Sequence, residues 1–309
     1  MNKLVMMAGL PGSGKSTVAK KLAAAENAVL HSSDDLREEM FGDANKQEMS
    51  DLLFKELNKR IIGDLMKGNS VVYDATNLSY KKRKEFLDKL NLDCFKECVL
   101  VAAPYETCLT RNGRRNRKVP EDVIEKMYRS LFIPQYYEGW DRINIVYRDA
   151  RDNNDGKGIE NDKGNDLHKF IEELKAIPQD NRHHTLTIGE HCKRCMENIK
   201  EQNADDSLVT AALLHDIGKK FTKAFKDLKG NPTEEAHYYG HQHVSAYMSL
   251  FYLRHLPVEK ILEITNYIQW HMRPFDLHSS KSRLKALNLF GKNFYDNLLK
   301  LHEADTKAK

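Results

Sequence analysis

Eight residues near the start of the chain fit the pattern G-x-x-x-x-G-K-[ST], from Gly9 to Ser16. Glycines in such a loop let backbone N–H groups turn toward phosphate oxygens, the lysine adds a charge, and the hydroxyl can bind Mg²⁺. The apolar run Leu4 to Ala8 precedes the pattern and a helical pattern from Thr17 follows it, as the motif requires. The sequence predicts a site for ATP, or another nucleoside triphosphate, and Mg²⁺, formed by Gly12, Ser13, Gly14, Lys15, Ser16 and Thr17.

A carboxylate and an arginine follow the second apolar run, in Ser33-Asp34-Asp35-Leu36-Arg37. At the carboxyl edge of a parallel sheet, Asp34 can accept the proton of an attacking hydroxyl. Arg37 lies one helical turn further on, where a guanidinium can hold an acceptor phosphate through two hydrogen bonds. The alternative for Asp34 is a residue that caps the next helix, and the two roles are compatible.

Two further stretches belong to the same half of the chain. Asp74 ends an apolar run, where a Walker-B carboxylate often lies; the alternative is a turn in which Thr76 or Asn77 caps the next helix. Residues 111–118 carry five cations, and Val119-Pro120 follows them. A charge run is usually a solvated surface, but this position after the fourth strand favours a lid that closes over phosphates.

The second half offers candidate metal ligands. His215 and Asp216 end an apolar helical run, and such mixed nitrogen and oxygen ligands suit Mn²⁺, Fe²⁺, Co²⁺, Ni²⁺ or Mg²⁺. Further candidates lie on other predicted helices: His191, His241, His271 and Asp305. An ordinary core or surface histidine is the interpretation for His183, His184, His237, His243, His255, His278 and His302. Cys192 and Cys195 have zinc-type spacing, but without a second cysteine pair they are interpreted as structural thiols.

The elements that must position these residues change in character near residue 160. Before it, short apolar runs alternate with helical patterns, which predicts an α/β domain with a mostly parallel sheet over residues 1–150. Residues 151–166 are almost wholly polar and predict a linker. From Leu167 onward helical patterns dominate, no convincing strand is found, and an all-α domain over residues 167–309 is predicted.

Composition excludes several classes of protein. The 309 residues suffice for about two domains. No apolar run approaches the ~20 residues that a membrane span needs, so no membrane partner is expected. Five cysteines, an odd and sparse number, suit reduced thiols and a cytoplasmic location. The net charge of +4 is too small to establish nucleic-acid binding.

Residues 1–148 resemble the 5′-end polynucleotide kinases of phages and bacteria. The resemblance rests on Gly9 to Thr17, Asp34 to Arg37, Asp74 to Asn77, and the Arg-Asn…Arg…Val-Pro lid. It implies that Asp34 is the general base and that Arg37 contacts the 3′-phosphate of the acceptor. It also implies that lid arginines bracket the donor phosphates, a role that falls first to Arg111 and Arg115 and then to Arg114 and Arg117.

Residues 183–306 resemble the HD phosphohydrolase superfamily, and in their local strings the HD domain appended to bacterial tRNA nucleotidyltransferases. The strings are Glu190-His191, Ala211 to Lys219, Gly240-His241, Trp270 to Arg273 and Ala304-Asp305. The resemblance implies an all-helical fold with room for two ions, bridged by Asp216, and Lys219 on the scissile phosphate. It divides the other ligands into one pair, His191 with Asp305, and a second pair, His241 with His271. Two such ions hydrolyse phosphate esters without a protein nucleophile.

Together the two halves are similar to bacterial end-healing enzymes that fuse an HD domain to a polynucleotide kinase, with the modules in swapped order. The resemblance implies an ATP-dependent 5′-OH polynucleotide kinase joined to a metal-dependent hydrolase of 2′,3′-phosphate or cyclic phosphate ends. The expected partners are nucleic-acid ends, RNA rather than DNA, the nucleotide donor and a ligase that acts downstream. The alternatives are a small-molecule kinase for nucleosides or sugars, or a nucleotide-gated regulatory module, fused to an HD phosphohydrolase.

Overall fold

The computed structural model describes residues 1–42, 49–115, 117–149, 165–182 and 184–309. The chain divides into two compact units, Met1–Tyr128 with Pro134–Lys157, and Arg129–Ile133 with Gly158–Lys309. Most of the predicted linker, residues 151–166, lies outside the described residues, as does His183. Among the described helices, none combines the length and the apolarity needed to cross a bilayer.

The first unit alternates strands and helices, as the sequence predicts. Its described elements are β1 (Lys3–Ala8), α1 (Lys15–Ala25), β2 (Val29–Ser32), α2 (Ser33–Phe41), α3 (Ser50–Met66), β3 (Val71–Asp74), α4 (Tyr80–Lys89), β4 (Phe95–Ala102), α5 (Tyr105–Gly113), α6 (Glu121–Tyr128) and β5 (Arg142–Tyr147). Within the described residues, five parallel strands form one sheet in the order β2-β3-β1-β4-β5.

The central strand β1 explains why this half folds as an α/β unit. Its residues from Leu4 to Ala8 are all buried, as expected for a parallel strand that is covered on both faces. On one face, Val5 and Met7 pack against Ala19 and Ala23 of α1. The register pairs Ser32 at the end of β2 with Asp74 at the end of β3. The loops after β1, β2 and β3 therefore leave the sheet at one edge, where ligands of such folds bind.

The second unit is mostly helical. Its described elements are α7 (Asn165–Leu174), α8 (Ile188–Glu201), α9 (Asp206–Leu214), α10 (Lys219–Thr222), β6 (Ala224–Lys226), β7 (Pro232–His237), α11 (His241–Leu253), α12 (Val258–Trp270), α13 (Ser280–Phe290) and α14 (Lys292–Lys307). Its core is formed by α8, α9, α11, α12 and α14, whose inward faces are apolar.

Two features of this unit differ from the sequence-based expectation. First, β6 and β7 form an antiparallel hairpin, so the expectation that no strand follows Leu167 is wrong. β6 has three residues and β7 begins Pro-Thr-Glu-Glu, so the segment lacks the apolar alternation that marks a strand. Second, α6 ends at Tyr128, and the following five residues belong to this unit, where the Ile133 N–H donates to Gln269 Oε1 at 3.0 Å.

Candidate functional sites

The loop between β1 and α1 surrounds a buried lysine. The loop contains Gly12 and Gly14 at φ 80° and 94°, and a Cβ at Gly12 would collide with the carbonyl oxygen of Cys108. Lys15 is 8 % exposed and its Nζ donates to the Leu10 carbonyl at 2.8 Å. Burial lowers the pKa of Lys15, although the nearby Asp74 opposes this. Ser13 Oγ is buried without a hydrogen-bond partner in the described residues, so a donor remains for a ligand of the loop.

The carboxylate of Asp74 lies at the start of α1. Burial raises the pKa of Asp74, and a hydrogen bond with Ser16 opposes that shift. A hydroxyl and a carboxylate side by side are the oxygen ligands that Mg²⁺ takes in nucleotide sites, and Thr17 follows them, exposed, on the first turn. The N-cap of α4 is Ser79, so the alternative in which Thr76 or Asn77 caps that helix is wrong.

Arginines from two parts of the chain meet at Asp34. The distances to the carboxylate are 3.5 Å from the Arg37 guanidinium of α2 and 3.5 Å from that of Arg115. Arg117 forms a closer ion pair with the same carboxylate. Ser32 is the N-cap of α2, because its hydroxyl accepts the N–H of Asp34 at 3.3 Å, so the capping alternative for Asp34 is wrong.

This arrangement leaves positive charge at the edge of the sheet. Three guanidiniums surround one carboxylate, and Asp34 itself stays 38 % exposed. Arg37 is buried, and its Nε has no hydrogen-bond partner among the described residues. Burial and the neighbouring Arg117 lower the pKa of Arg37. A buried N–H without a partner in a cationic pocket favours an anionic ligand.

One predicted residue, Arg111, is engaged by the backbone that follows β5. Arg111 donates to the backbone carbonyls of Arg148 and Asp149, at 3.2 and 3.0 Å, so its contact with donor phosphates stays a prediction. Arg148 itself was missed: a Cβ on Gly14 would lie 3.6 Å from its Nε. Arg148 directly follows β5, and the rule that ligands gather at the carboxyl ends of parallel strands indicates this position.

The second unit brings the six predicted metal ligands together from different elements. His191 lies on α8 and Asp305 on α14, while His215 and Asp216 directly follow α9. His241 begins α11 and His271 directly follows α12. Their ligand atoms form two groups that share Asp216, each group with all atoms within 4.8 Å of one another: His191, His215, Asp216 and Asp305, and Asp216, His241 and His271.

Each oxygen of Asp216 faces a different group. Oδ2 lies 3.2 Å from His191 Nε2 and 3.3 Å from His215 Nε2, and His191 Nε2 lies 3.0 Å from Asp305 Oδ1. Oδ1 lies 3.1 Å from His241 Nε2 and 3.6 Å from His271 Nε2. A carboxylate in this position can bridge two ions.

Backbone carbonyls orient all four imidazoles. The Nδ1 atoms of His191 and His215 lie 2.5 and 2.8 Å from the carbonyl oxygens of Ala308 and Ala212. Those of His241 and His271 lie 2.7 Å from the carbonyls of Tyr238 and Ile268. A carbonyl only accepts, so each Nδ1 carries a proton, and each ring in its neutral form presents an Nε2 lone pair to the centre.

The donor set fits divalent cations. His241 Nε2 and His271 Nε2 lie 3.1 Å apart and face one another, and Asp216 Oδ1 is buried with no hydrogen-bond partner in the described residues. Lone pairs that face one another in a buried site require a cation to satisfy them. Imidazole and carboxylate ligands suit first-row transition metals. Cys192 and Cys195 are buried on α8, outside both groups.

Electrostatics differ between the groups when no ion is bound. Burial lowers the pKa of His215, but the charge of Asp216 outweighs it and the pKa lies well above its ordinary value. Burial also lowers the pKa of His191, but hydrogen bonds to Asp216 and Asp305 outweigh this effect, and the net shift of the pKa is upward. In the second group, burial lowers the pKa of His271 to about 4.

Lys219 reaches the first group through Asp216. Its Nζ lies 2.6 Å from Asp216 Oδ2, 2.7 Å from Gln179 Oε1 and 3.5 Å from His184 Nε2. Sequence reasoning missed Gln179 and interpreted His184 as an ordinary histidine, because neither belongs to a local motif. The amide of Gln179 and the ring of His184 hold the ammonium of Lys219 beside the metal ligands.

Comparisons with known proteins agree with two domains. A family model of the AAA domain matches residues 4–134, and one of the HD domain matches residues 182–305. An L-seryl-tRNA(Sec) kinase from Methanococcus maripaludis is 28% identical over 155 residues, 46% of this chain and 58% of that protein. A shikimate kinase from Corynebacterium glutamicum is 39% identical over 72 residues, 22% of this chain and 43% of that enzyme. This chain thus spans about half the length of the curated relatives that it matches.

Solved structures are more distant. A chain of the Pnkp1/Rnl/Hen1 RNA repair complex is 26% identical, with a TM-score of 0.37, over 41% of this chain and 42% of that one. A gluconokinase from Sinorhizobium meliloti is 18% identical, with a TM-score of 0.35, over 47% and 82%. Likenesses of this size carry no argument about function. The sheet, the phosphate loop and the two family matches lead to one conclusion: the chain consists of an N-terminal P-loop kinase domain with a parallel sheet, followed by a mostly helical HD domain.

Proposed function

We propose that this chain heals nucleic-acid ends. Its first domain transfers the γ-phosphoryl group of ATP to a 5′-hydroxyl, and its second removes phosphate from 2′,3′ ends, cyclic or open. The observation that carries the nucleic-acid assignment is the set of three arginines around Asp34, the acid expected to receive the acceptor's proton. A ligase acting downstream, a cytoplasmic location and RNA as the polymer belong to the same proposal.

The kinase step follows from the residues at the edge of the sheet. Asp34 accepts the proton of the 5′-hydroxyl. The hydroxyl oxygen bonds to the γ-phosphorus while the bond between that phosphorus and the ADP oxygen breaks. Arg115 and Arg117 neutralise charge on the transferring group, and Lys15 holds the phosphates from the loop side. Mg²⁺ held by Ser16 and Asp74 would neutralise further phosphate charge.

The excess of positive charge favours an anionic acceptor. Arg115 and Arg117 serve the transferring phosphoryl group, which leaves Arg37 for the acceptor, and a neutral sugar or nucleoside offers no anion to match it. A nucleotide with a 3′-phosphate offers an anion near the reacting hydroxyl, which suits the buried Nε of Arg37. The name of the L-seryl-tRNA(Sec) kinase also indicates an acceptor group carried on RNA.

The hydrolase step uses the two ligand groups of the second domain. Two divalent cations held there would polarise a phosphate ester and supply hydroxide at neutral pH. The four oriented imidazoles fix the ligand positions, and Asp216 links the groups. The ammonium of Lys219, beside Asp216, is placed to neutralise a phosphate oxygen of the end that is hydrolysed.

A small-molecule kinase is the second candidate, because shikimate kinase is 39% identical over part of the first domain. Phosphoryl transfer from γ-³²P-ATP to a 5′-OH oligonucleotide, a nucleoside, a nucleoside 3′-monophosphate and shikimate separates the two. We expect the oligonucleotide and the nucleoside 3′-monophosphate to be phosphorylated far better than the nucleoside or shikimate. Preferred phosphorylation of the nucleoside, or of shikimate, which is a carboxylate without a phosphate, would reject the nucleic-acid assignment.

Arginine variants sharpen this test. Arg37→Gln is expected to slow transfer to the nucleoside 3′-monophosphate strongly and transfer to the nucleoside little, because only the first acceptor has an anion for Arg37. Arg117→Gln should slow transfer to both acceptors. Arg114→Gln is the matched control, since this arginine of the same segment has no ion pair with Asp34, and it should behave as the parent. An equal effect of Arg37→Gln on both acceptors would contradict its assigned contact.

A further inference from the structure

A cationic segment with exposed rings begins beside the metal ligands. Residues 219–239, comprising α10, β6, β7 and the turns around them, are here called the 219–239 hairpin. Within its first eleven residues it carries five lysines, at positions 219, 220, 223, 226 and 229. Lys219 is buried on Asp216, whereas Phe221 on the same short helix is 47 % exposed. The hairpin therefore leads from the ligand groups to the surface.

Large apolar side chains of the 219–239 hairpin face solvent. Besides Phe221, Phe225 is 46 % exposed, Leu228 80 % and Tyr239 36 %. The ammonium of Lys220 lies 5.8 Å from the Phe221 ring centre, and that of Lys223 lies 6.0 Å from the Phe225 ring centre. Clustered exposed apolar groups with a polar surround mark interaction sites.

Hydrogen bonds fix the backbone that carries these exposed side chains. The Gly218 N–H donates to Ser245 Oγ at 2.9 Å, and the buried Thr222 hydroxyl donates back to the Gly218 carbonyl at 3.1 Å. At the tip, Asp227 Oδ1 accepts the N–H groups of Lys229 and Asn231, each at 2.8 Å. The rings are thus held outward by a structured hairpin and are available to a partner.

We propose that the 219–239 hairpin binds single-stranded nucleic acid. Phe221 and Phe225 present ring faces on which bases stack, and the exposed Lys226 and Lys229 at the tip match the backbone phosphates. The two lysines beside the rings already form ion pairs with Glu173 and Asp180. Because the hairpin starts at Lys219, a strand on it would direct its end toward the His and Asp ligands. The direction of the strand end toward these ligands rests on the proposed function, whereas binding of the strand to the hairpin does not.

Binding by the full chain tests the surface directly. The probe is a fluorescein-labelled single-stranded oligouridine without terminal phosphates, followed by fluorescence anisotropy without ATP. Loss of one stacked base costs about tenfold in affinity, so Phe221→Ala with Phe225→Ala should raise the Kd at least tenfold. Phe275→Ala is the matched control, because this phenylalanine of the same domain is 45 % exposed and lies outside the hairpin. An unchanged Kd in the double variant would overturn the proposal.

A second pair of variants keeps the test valid if the aromatic variant unfolds. Lys226→Glu with Lys229→Glu changes two exposed side chains at the tip and should weaken binding and reduce its salt dependence. Lys285→Glu with Lys281→Glu makes the same charge change on α13 and should leave both unchanged. Equal effects of the two pairs would show that the oligouridine responds only to the overall charge of the protein, and would reject the hairpin as the binding surface.

Kinetics separate this proposal from the proposed function. On oligouridine with a 3′-phosphate, Phe221→Ala with Phe225→Ala should raise KM about tenfold or more, with p-nitrophenyl phosphate hydrolysis unchanged. If the hydrolase ignores nucleic acid yet the parent binds oligouridine through these rings, the surface stands and the proposed function fails. A concentration-dependent increase in mass that the aromatic variant abolishes, with RNA binding unchanged, would instead assign the surface to a second copy of this chain.

Discussion

Gly218→Ala should abolish ion binding by the second group of metal ligands and leave ion binding by the first group intact. Gly218 has helical angles, φ −70° and ψ −15°, so the backbone tolerates alanine there. A Cβ at this position, however, would lie 2.6 Å from the carbonyl oxygen of His241 and 2.6 Å from the backbone nitrogen of Ser245. Both atoms belong to the backbone of α11, which cannot turn aside as a flexible side chain does.

The size of the displacement follows from these distances. To reach the 3.4 Å of an ordinary carbon contact, the two backbones must separate by about 0.8 Å. Asp216 lies two residues before Gly218 and His241 begins α11, so the separation acts between ligands of the second group. Metal–ligand distances tolerate only about 0.2 Å. The first group has no ligand on α11, so we expect it to keep its ion.

The assay is the metal content of the folded protein. After equilibration with Mn²⁺ and gel filtration, the parent should retain two ions per chain and Gly218→Ala about one. Gly63→Ala is the control, because a Cβ at this helical glycine of the first unit meets nothing within 4 Å, and it should retain two ions. Gly218→Ala should lose about 1–3 kcal/mol of stability through overpacking, as thermal unfolding would measure. Two retained ions of parental affinity in Gly218→Ala would refute the reasoning.

Three further predictions concern other parts of the molecule. Asp34→Asn should reduce 5′-phosphorylation by about 10²–10⁴-fold with hydrolysis unchanged, and an equal loss of both would contradict its role as base. Because the pKa values of His191 and His215 are raised when no ion is bound, protons compete with an ion for the first group; affinity should rise with pH, and calorimetric heats of binding should depend on buffer ionisation. Buffer-independent heats would argue against this proton exchange. Arg83→Ala leaves the buried Glu138 without its ion pair and should lower the unfolding free energy by about 3–5 kcal/mol, measured by urea denaturation; a loss below ~1 kcal/mol would contradict it.

The sequence was informative where chemistry depends on local strings. The loop from Gly9 to Ser16 and the pair His215-Asp216 each combine their residues within a few positions, so pattern and periodicity suffice to identify them. The alternation of apolar strands and amphipathic helices likewise predicts the parallel sheet, because each crossover helix must cover it. The arginines at Asp34 were predicted only in part, since the resemblance places Arg115 and Arg117 on the donor phosphates and not beside this carboxylate.

The remainder depends on contacts between distant residues. Gln179 and His184 contact Lys219 from a segment without regular structure or motif, so no spacing connects them to the ligands. The β6–β7 hairpin consists of two short strands without apolar alternation, so only the pairing between them identifies them as strands. Arg129–Ile133 follows a helix of the first unit yet packs with the second, and sequence position gives no sign of that.

The central claim is that two independent sites act on the two ends of one strand. The measurement that tests it most directly is the mapping of both termini of an RNA with 5′-OH and 2′,3′-cyclic phosphate ends after incubation with Mn²⁺ and ATP. The parent should produce a 5′-phosphate and a 2′,3′-diol; Lys15→Ala should repair only the 2′,3′ end and Asp216→Ala only the 5′ end. Loss of both activities in either folded variant, or a parent that leaves both ends unchanged, would contradict the account.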